Sequence, residues 1–447
     1  MLFEWSGAAG AAALSERDVH VTTCPACGHH VAVLFYDGGK QPLATLGWPR
    51  TAGEARAMPK LPLRFVRCVD CGHVFNDAFD YTRVPYGDNP NLMYNRGLRW
   101  SDFLRKVCGE IISRLPENAV VVEIGHGDGT FLESLASLQP SGTFYGFDPH
   151  GATASRLGNV CYRRSLFVPA AQMAELRPDL LVSRHVLEHL TDPLGFVQSL
   201  SFGAAAEELK PVLYLEVPCI DRALTTGRTE DFYYEHNSHF TTESFSRMLA
   251  RGFCSIDALD HGYDGEVVYA FLRLKGKREH LQHAHDAKAF DAMAQASRQV
   301  IMMELANHYM AGRTVAFWGG TGKCAAFLQA HHVDAHRFPL VVDSDPAKIG
   351  TFVPGTGQQI LAIQTLKDKC VDILVVPTQW RARDIVEEAA RSGIEFGQVV
   401  IPHQGRLVDF LTGDHPYQRP RLPNTACTAV LTPPSQRSEG LREALPA

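Results

Sequence analysis

The sequence has no run of about 18 apolar residues, so nothing in it reads as a membrane span. It has no excess of positive charge either. Lys and Arg number 43 against 49 Asp and Glu, a net charge of -6 with a pI near 6.4, which leaves no electrostatic footprint for nucleic acid or an anionic membrane. No repeat of fixed period is present. Residues 1–20 lack the basic and apolar regions of a secretory signal. The 11 cysteines, odd in number and scattered, do not form a disulfide framework, and a reducing cytoplasm is the expected setting. What is there is the composition of a soluble globular protein, 45% hydrophobic and 21% charged, over 447 residues. That length predicts two or three domains.

Residues 20–95 are rich in turns and carry the paired cysteines. From Leu98, "LRWSDFLRKVCGEIISRL" has helical apolar spacing, and Pro116 ends it. Short β-rich runs then alternate with helical ones: "AVVVEIG", "GTFYGFD", "LLVSRHV" and "PVLYLEV" as strands, "GTFLESLASL" and "PLGFVQSLSF" as helices. This alternation predicts an α/β doubly wound parallel sheet over 96–275. Residues 276–312 read as connecting helices. A second Rossmann-like α/β unit is expected over 313–410, from "RTVAFWGGTGKCAAFLQA" onward, followed by a proline-rich tail over 411–447.

"CPACGHH" and "CVDCGHVF" place Cys24, Cys27, Cys68 and Cys71 in a C-x2-C…C-x2-C arrangement. Each turn aims two sulfurs at one point, with a glycine after the second cysteine to relieve the backbone. Two such knuckles make the closed four-thiolate cage of a structural zinc. A redox dithiol and an iron–sulfur cluster are the alternatives, although a redox C-x-x-C needs no twin. His29, His30 and His73 are expected to be exposed rather than ligands.

"VVVEIGHGDGTFL" is strand, glycine loop, helix. Gly125, Gly127 and Gly129 let the backbone turn and approach a ligand that a Cβ would block. The spacing is not the G-x-G-x-x-G of dinucleotide binders. Glu123, just before the loop, suits a cofactor bearing an ammonium, and Asp148, ending "FYGFD", is placed to accept ribose hydroxyls. Together these resemble the first motif and second-strand acid of class I S-adenosylmethionine methyltransferases. His185 in "RHVLEHLTDP" ends the next strand and would face the crevice where doubly wound folds bind ligands; His189 lies one turn later.

"DFYYEHNSHF", residues 231–240, fits neither a helical nor a strand period, and it follows "YLEVPC" over the same crevice. With "VEIGHGDGTFL", "SRHVLEHLTDP", "EVP" and the upstream cysteine pairs, it resembles the sugar C-methyltransferases of deoxysugar biosynthesis. The resemblance runs into the C-terminal unit through "FWGGTGKCAAFL", "VVDSDPAKIGTFVPGTG" and "VVPTQW". It implies a zinc-binding N-terminal domain and a central domain that binds S-adenosylmethionine. It also implies an enzyme that methylates carbon beside the ketone of a nucleotide-linked deoxysugar. Carried over, His236 is the general base, Glu235 its orienting or proton-sharing partner, and Tyr233 or His185 the donor to an enolate. His239 stands where the family more often has Tyr. Tyr81, Tyr86 and Tyr94 are candidates to reach the pocket.

In the C-terminal unit Gly320, Gly322 and Ala325 form G-x-G-x-x-A after a strand, with Asp343 ending the next one and Lys323 at the helix start. Alone this is a dinucleotide fingerprint; the resemblance implies instead a unit that helps build the substrate site. An N- or O-methyltransferase of another small metabolite and a non-catalytic cofactor-binding scaffold are the alternative functions. The expected partner is a small molecule, with no nucleic acid and no membrane, and a homodimer is a candidate assembly.

Overall fold

The computed structural model describes residues 15–16, 18–86, 97–155 and 157–418. They form two compact units divided after Ala284. Tyr94, the end of the cysteine-bearing segment and most of the proline-rich tail lie outside the described residues.

The first unit holds two sheets. One is antiparallel, with the order Val19–Val21, Val31–Gln41, Leu61–Cys68, Val74–Asn76 and Ser238–His239. Its last member comes from the 231–240 stretch: Ser238 pairs with Phe75 and His239 with Val74. Two residues are too few to show a period, so this strand was not readable from the sequence.

The other sheet has the order Cys254–Gly262, Val267–Leu274, Val212–Pro218, Leu180–Arg184, Val120–Ile124, Thr143–Phe147, Val160–Arg163. The first two strands are antiparallel to their neighbours and the rest parallel. Its central strands are apolar on both faces because helices cover both. Val122, Leu181 and Leu213 pack with Val197 and Leu200 of the helix Pro193–Ala206 on one side. Val121, Val182 and Tyr214 pack with Phe103, Val107 and Ile111 of the helix Leu98–Ile112 on the other. The glycine loop and the ends of the neighbouring strands therefore meet at one edge, the position where such sheets hold ligands.

The second unit is a six-stranded sheet in the order Ile360–Ala362, Leu340–Asp343, Val315–Trp318, Val371–Val375, Phe396–His403, Arg406–Asp409, parallel except for the last strand. This is the 3-2-1-4-5-6 winding of a Rossmann unit. The helical segment ahead of it is one 33-residue helix, Arg278–Met310, whose Ile301 and Leu305 are buried in the second unit's core. Asp343 accepts N–H bonds from Gly320 at 2.8 Å and Asp345 at 3.0 Å, and Lys323 lies 3.8 Å over the Trp380 ring. Among the described residues no helix is long and apolar enough to cross a membrane.

Candidate active site

Gly125, Gly127 and Gly129 all have positive φ, between 55° and 80°, as the turn from the strand Val120–Ile124 into the helix Thr130–Leu138 requires. A Cβ on Gly125 would collide with Val186, and one on Gly129 with the Tyr162 hydroxyl. Asp148 ties the loop down: its carboxylate accepts the N–H of Gly127 at 3.1 Å and of His150 at 2.8 Å. Above lies a cavity of about 710 Å³ whose lining includes Glu123, Gly127, Asp148, Trp100, His185 and His189. Glu123 is buried, and its Oε2 has no hydrogen-bond partner. Burial pushes its carboxyl up to about 8, against the pull of Arg184. A buried, unpaired carboxylate oxygen beside a glycine cradle fits the ammonium of S-adenosylmethionine. Asp148 also lines the cavity wall.

Beneath the cavity lies a charge network that the sequence did not announce. Arg184 and Glu216 are neighbours across paired strands, and the guanidinium reaches the buried carboxylate at 2.8 Å. Tyr214 donates to the other oxygen at 2.6 Å. His185, at φ 51°, puts Nε2 2.9 Å from Glu216 and Nδ1 3.4 Å from Glu188. Burial disfavours its charge, but the two carboxylates outweigh burial and raise it to about 9. Glu216 is held down to about 2, where Arg184 and His185 overcome its own burial. That favours the imidazolium of His185 at neutral pH, a positive charge on the cavity wall rather than a base.

The 231–240 stretch splits its side chains between two directions. The Tyr233 hydroxyl lies 2.8 Å from Nε2 of His236. The His236 ring stands 4.8 Å from that of His189, which lines the cavity, so Tyr233 and His236 sit directly behind His189. His189 Nδ1 donates to the Glu235 carbonyl at 2.8 Å. Burial, then His189 and His239, push His236 well below the usual histidine range, so it is neutral. The Glu235 carboxylate does not meet His236. It turns the other way and accepts the backbone N–H of Ala44, Thr45 and Leu46 at 3.1, 2.8 and 3.0 Å. His239 packs between Phe65 and Phe232, with ring centroids at 5.1 and 4.7 Å. Tyr86, hydrogen-bonded to His189 at 3.4 Å, reaches the cavity wall, as does Tyr81.

The four cysteines converge as their spacing predicts. Sγ of Cys24 lies 3.7 Å from that of Cys71, and Sγ of Cys27 lies 3.6 Å from that of Cys68. All four lie within 4.8 Å of one another. Tetrahedral zinc with bonds of about 2.3 Å needs sulfur–sulfur edges of about 3.8 Å, so the cluster fits a metal ion. Gly28 and Gly72, after the second cysteine of each pair, have φ of 77° and 76°. His73 departs from expectation: it is fully buried, 3.2 Å from Ser238 Oγ and 4.7 Å from the Phe240 ring, because it leads into a strand that pairs with the 231–240 stretch.

Two family profiles match, a methyltransferase domain over residues 95–253 and a C-methyltransferase C-terminal domain over residues 265–402. Similar solved structures include a SAM-dependent methyltransferase from Aquifex aeolicus, at 12% identity and TM-score 0.29 over 44% of this chain and 99% of that one. Human N-acetylserotonin methyltransferase in complex with SAM overlaps at 17% identity and TM-score 0.31, over 40% of this chain and 53% of that one. The 8-amino-8-demethyl-D-riboflavin dimethyltransferase from Streptomyces davawensis overlaps at 19% identity and TM-score 0.30, over 40% of this chain and 56% of that one. The comparison with curated proteins returns no match.

Proposed function

Because the chain is an S-adenosylmethionine-dependent methyltransferase with a C-methyltransferase C-terminal domain, we propose that it methylates the carbon beside the ketone of a nucleotide-linked deoxysugar or similar keto metabolite. The observation that carries this reading is a half-buried, neutral His236 hydrogen-bonded to Tyr233, with its ring edge-on to that of the cavity-lining His189. A carbon next to a ketone becomes nucleophilic only when its proton leaves. His236 takes that proton, and the C–H electron pair passes into the enolate. Tyr233 donates to the enolate oxygen, and His185, with its two ring nitrogens facing Glu216 and Glu188, adds positive charge beside it. S-adenosylmethionine, when bound, would supply a methyl group on a sulfonium, and the enolate carbon would take it as the S–CH3 bond breaks and its electron pair stays on the sulfur of the departing thioether. Glu123 and Asp148 hold the cofactor's ammonium and ribose, with the cradle of Gly125, Gly127 and Gly129 beneath. Cys24, Cys27, Cys68 and Cys71 hold a structural zinc, since four protein thiolates leave no position open for substrate.

The test is turnover in D2O with methyl-labelled S-adenosylmethionine and a nucleotide-linked 4-keto-6-deoxyhexose. The methyl label should enter the carbon beside the ketone in place of its hydrogen, and unmethylated substrate recovered from the same mixture should carry deuterium at that carbon. Methylation without solvent exchange would move the reaction to oxygen or nitrogen. A His236→Ala variant that binds cofactor and turns over at the wild-type rate would remove His236 as base.

A further inference from the structure

A second metal-type donor set lies outside the cavity already described. Cys219 follows the strand Val212–Pro218, Asp221 opens the short helix Asp221–Thr226, and His261 is near the end of the strand Cys254–Gly262. The thiol, a carboxylate oxygen and a ring nitrogen lie within 4.8 Å of one another. Thr242, opening the helix Thr242–Arg251, has its hydroxyl among them: 2.5 Å from Asp221 Oδ2, 2.7 Å from His261 Nε2 and 3.8 Å from Cys219 Sγ. The hydroxyl has one proton, which Asp221 takes, so it accepts from His261 and offers the thiol little. Cys219 is 3% exposed, and its sulfur lies against Asp221 and the Thr242 hydroxyl. Asp221 and Thr242 also line an open cavity of about 570 Å³ with Arg67, Glu243 and Ser246.

We propose that Cys219, Asp221 and His261 bind a divalent transition-metal ion of the zinc class, with the Thr242 hydroxyl or a water from the adjoining cavity as fourth ligand. A thiolate, an imidazole and a carboxylate form a mixed borderline donor set that suits zinc or cobalt and not magnesium or calcium. Three protein ligands, unlike the four cysteines, leave a position open. Tetrahedral edges of about 3.3–3.8 Å require the ligand atoms to close by up to about 1.5 Å. His261 is exposed, so its side chain can supply that movement. Binding sends the thiol proton to solvent, so uptake strengthens as pH rises.

The test starts from the full chain with its four-cysteine cluster filled with zinc, then titrates Co2+. The expected result is one further equivalent of cobalt with a sulfur-to-cobalt charge-transfer band. His261→Ala should weaken that uptake at least tenfold, and Cys219→Ser should abolish the band. Because His261 is exposed, its variant keeps the test decisive should Cys219→Ser fold poorly. No cobalt beyond adventitious binding, or equal uptake and an unchanged band in both variants, would reduce the cluster to hydrogen bonds at a helix start.

Discussion

Glu235 accepts the backbone N–H of Thr45 at 2.8 Å from 190 positions away in the chain. The same carboxylate holds Ala44 and Leu46, so it satisfies three N–H groups of the loop between the strands Val31–Gln41 and Leu61–Cys68. Its own carbonyl accepts from His189. One residue thus ties the cysteine-bearing sheet to the ring that stands before His236.

Glu235→Gln should therefore act first on stability. A buried carboxylate accepting charge-assisted bonds is replaced by an amide whose NH2 faces donors, a cost of about 2–3 kcal/mol. Thermal unfolding should shift down by several degrees, while His236→Ala stays near the wild-type midpoint and loses most of its turnover. If Glu235→Gln kept the wild-type midpoint and lost turnover, the carboxylate would be a proton partner of His236 instead of a tie.

Acid should destabilise the first unit earlier than its carboxylates alone require. His236 lies well below its ordinary pKa and His239 is pushed down to about 3, both mainly by burial. The unfolded chain takes up protons near pH 6.5 that the folded protein refuses, so stability is lost as pH falls from there. Each such histidine contributes on the order of 2 kcal/mol between pH 6.5 and 5. Urea midpoints measured across that window should fall in the wild type and fall less in His239→Phe. Parallel slopes would show that His239 titrates normally in the folded state.

Local signals were legible and pairings across the chain were not. The two C-x2-C knuckles, both glycine loops and the central parallel strands each announce themselves within a few residues, through glycine at a positive φ or an apolar run buried on both faces. The edge strand Val160–Arg163 did not, because its sequence, half exposed, has no apolar run. The antiparallel pair Cys254–Gly262 and Val267–Leu274 went unread although Asp264 and Gly265 turn it at positive φ. His185 was placed correctly at a strand end over the cavity, but its charge depends on Glu216, which reaches it only through the register of the next strand. Tyr233 and His236 meet as neighbours one turn apart. Their neighbour Glu235 points elsewhere because the loop is irregular.

Glu123 sets a prediction for cofactor binding. In the free site burial holds its carboxyl near 8, so at pH 7 it is mostly protonated. An ammonium placed against it favours the charged form. Binding S-adenosylmethionine at pH 7 should therefore release a proton, seen by calorimetry as a heat that varies with the buffer's ionisation enthalpy. Glu123→Gln should bind at least about tenfold more weakly, some 1.4 kcal/mol, and release no proton. Equal affinity in the variant would place the ammonium elsewhere.

His185 predicts behaviour at the alkaline end. Its folded pKa of about 9 lies above the unfolded value near 6.5, so its contribution to stability is complete below 6.5 and is lost as pH rises through 9. His185→Gln removes one cation from beside Glu216 and Glu188 but leaves Arg184 and Tyr214 on Glu216. The variant should be less stable than the wild type by about 2–3 kcal/mol at pH 6, and the gap should close toward pH 10. If the imidazolium's charge also steadies the enolate, kcat in the wild type falls above pH 9 and the variant loses both rate and that limb. A stability gap that closes without any change in the rate profile would make His185 a support for Glu216 and leave the donor role to Tyr233.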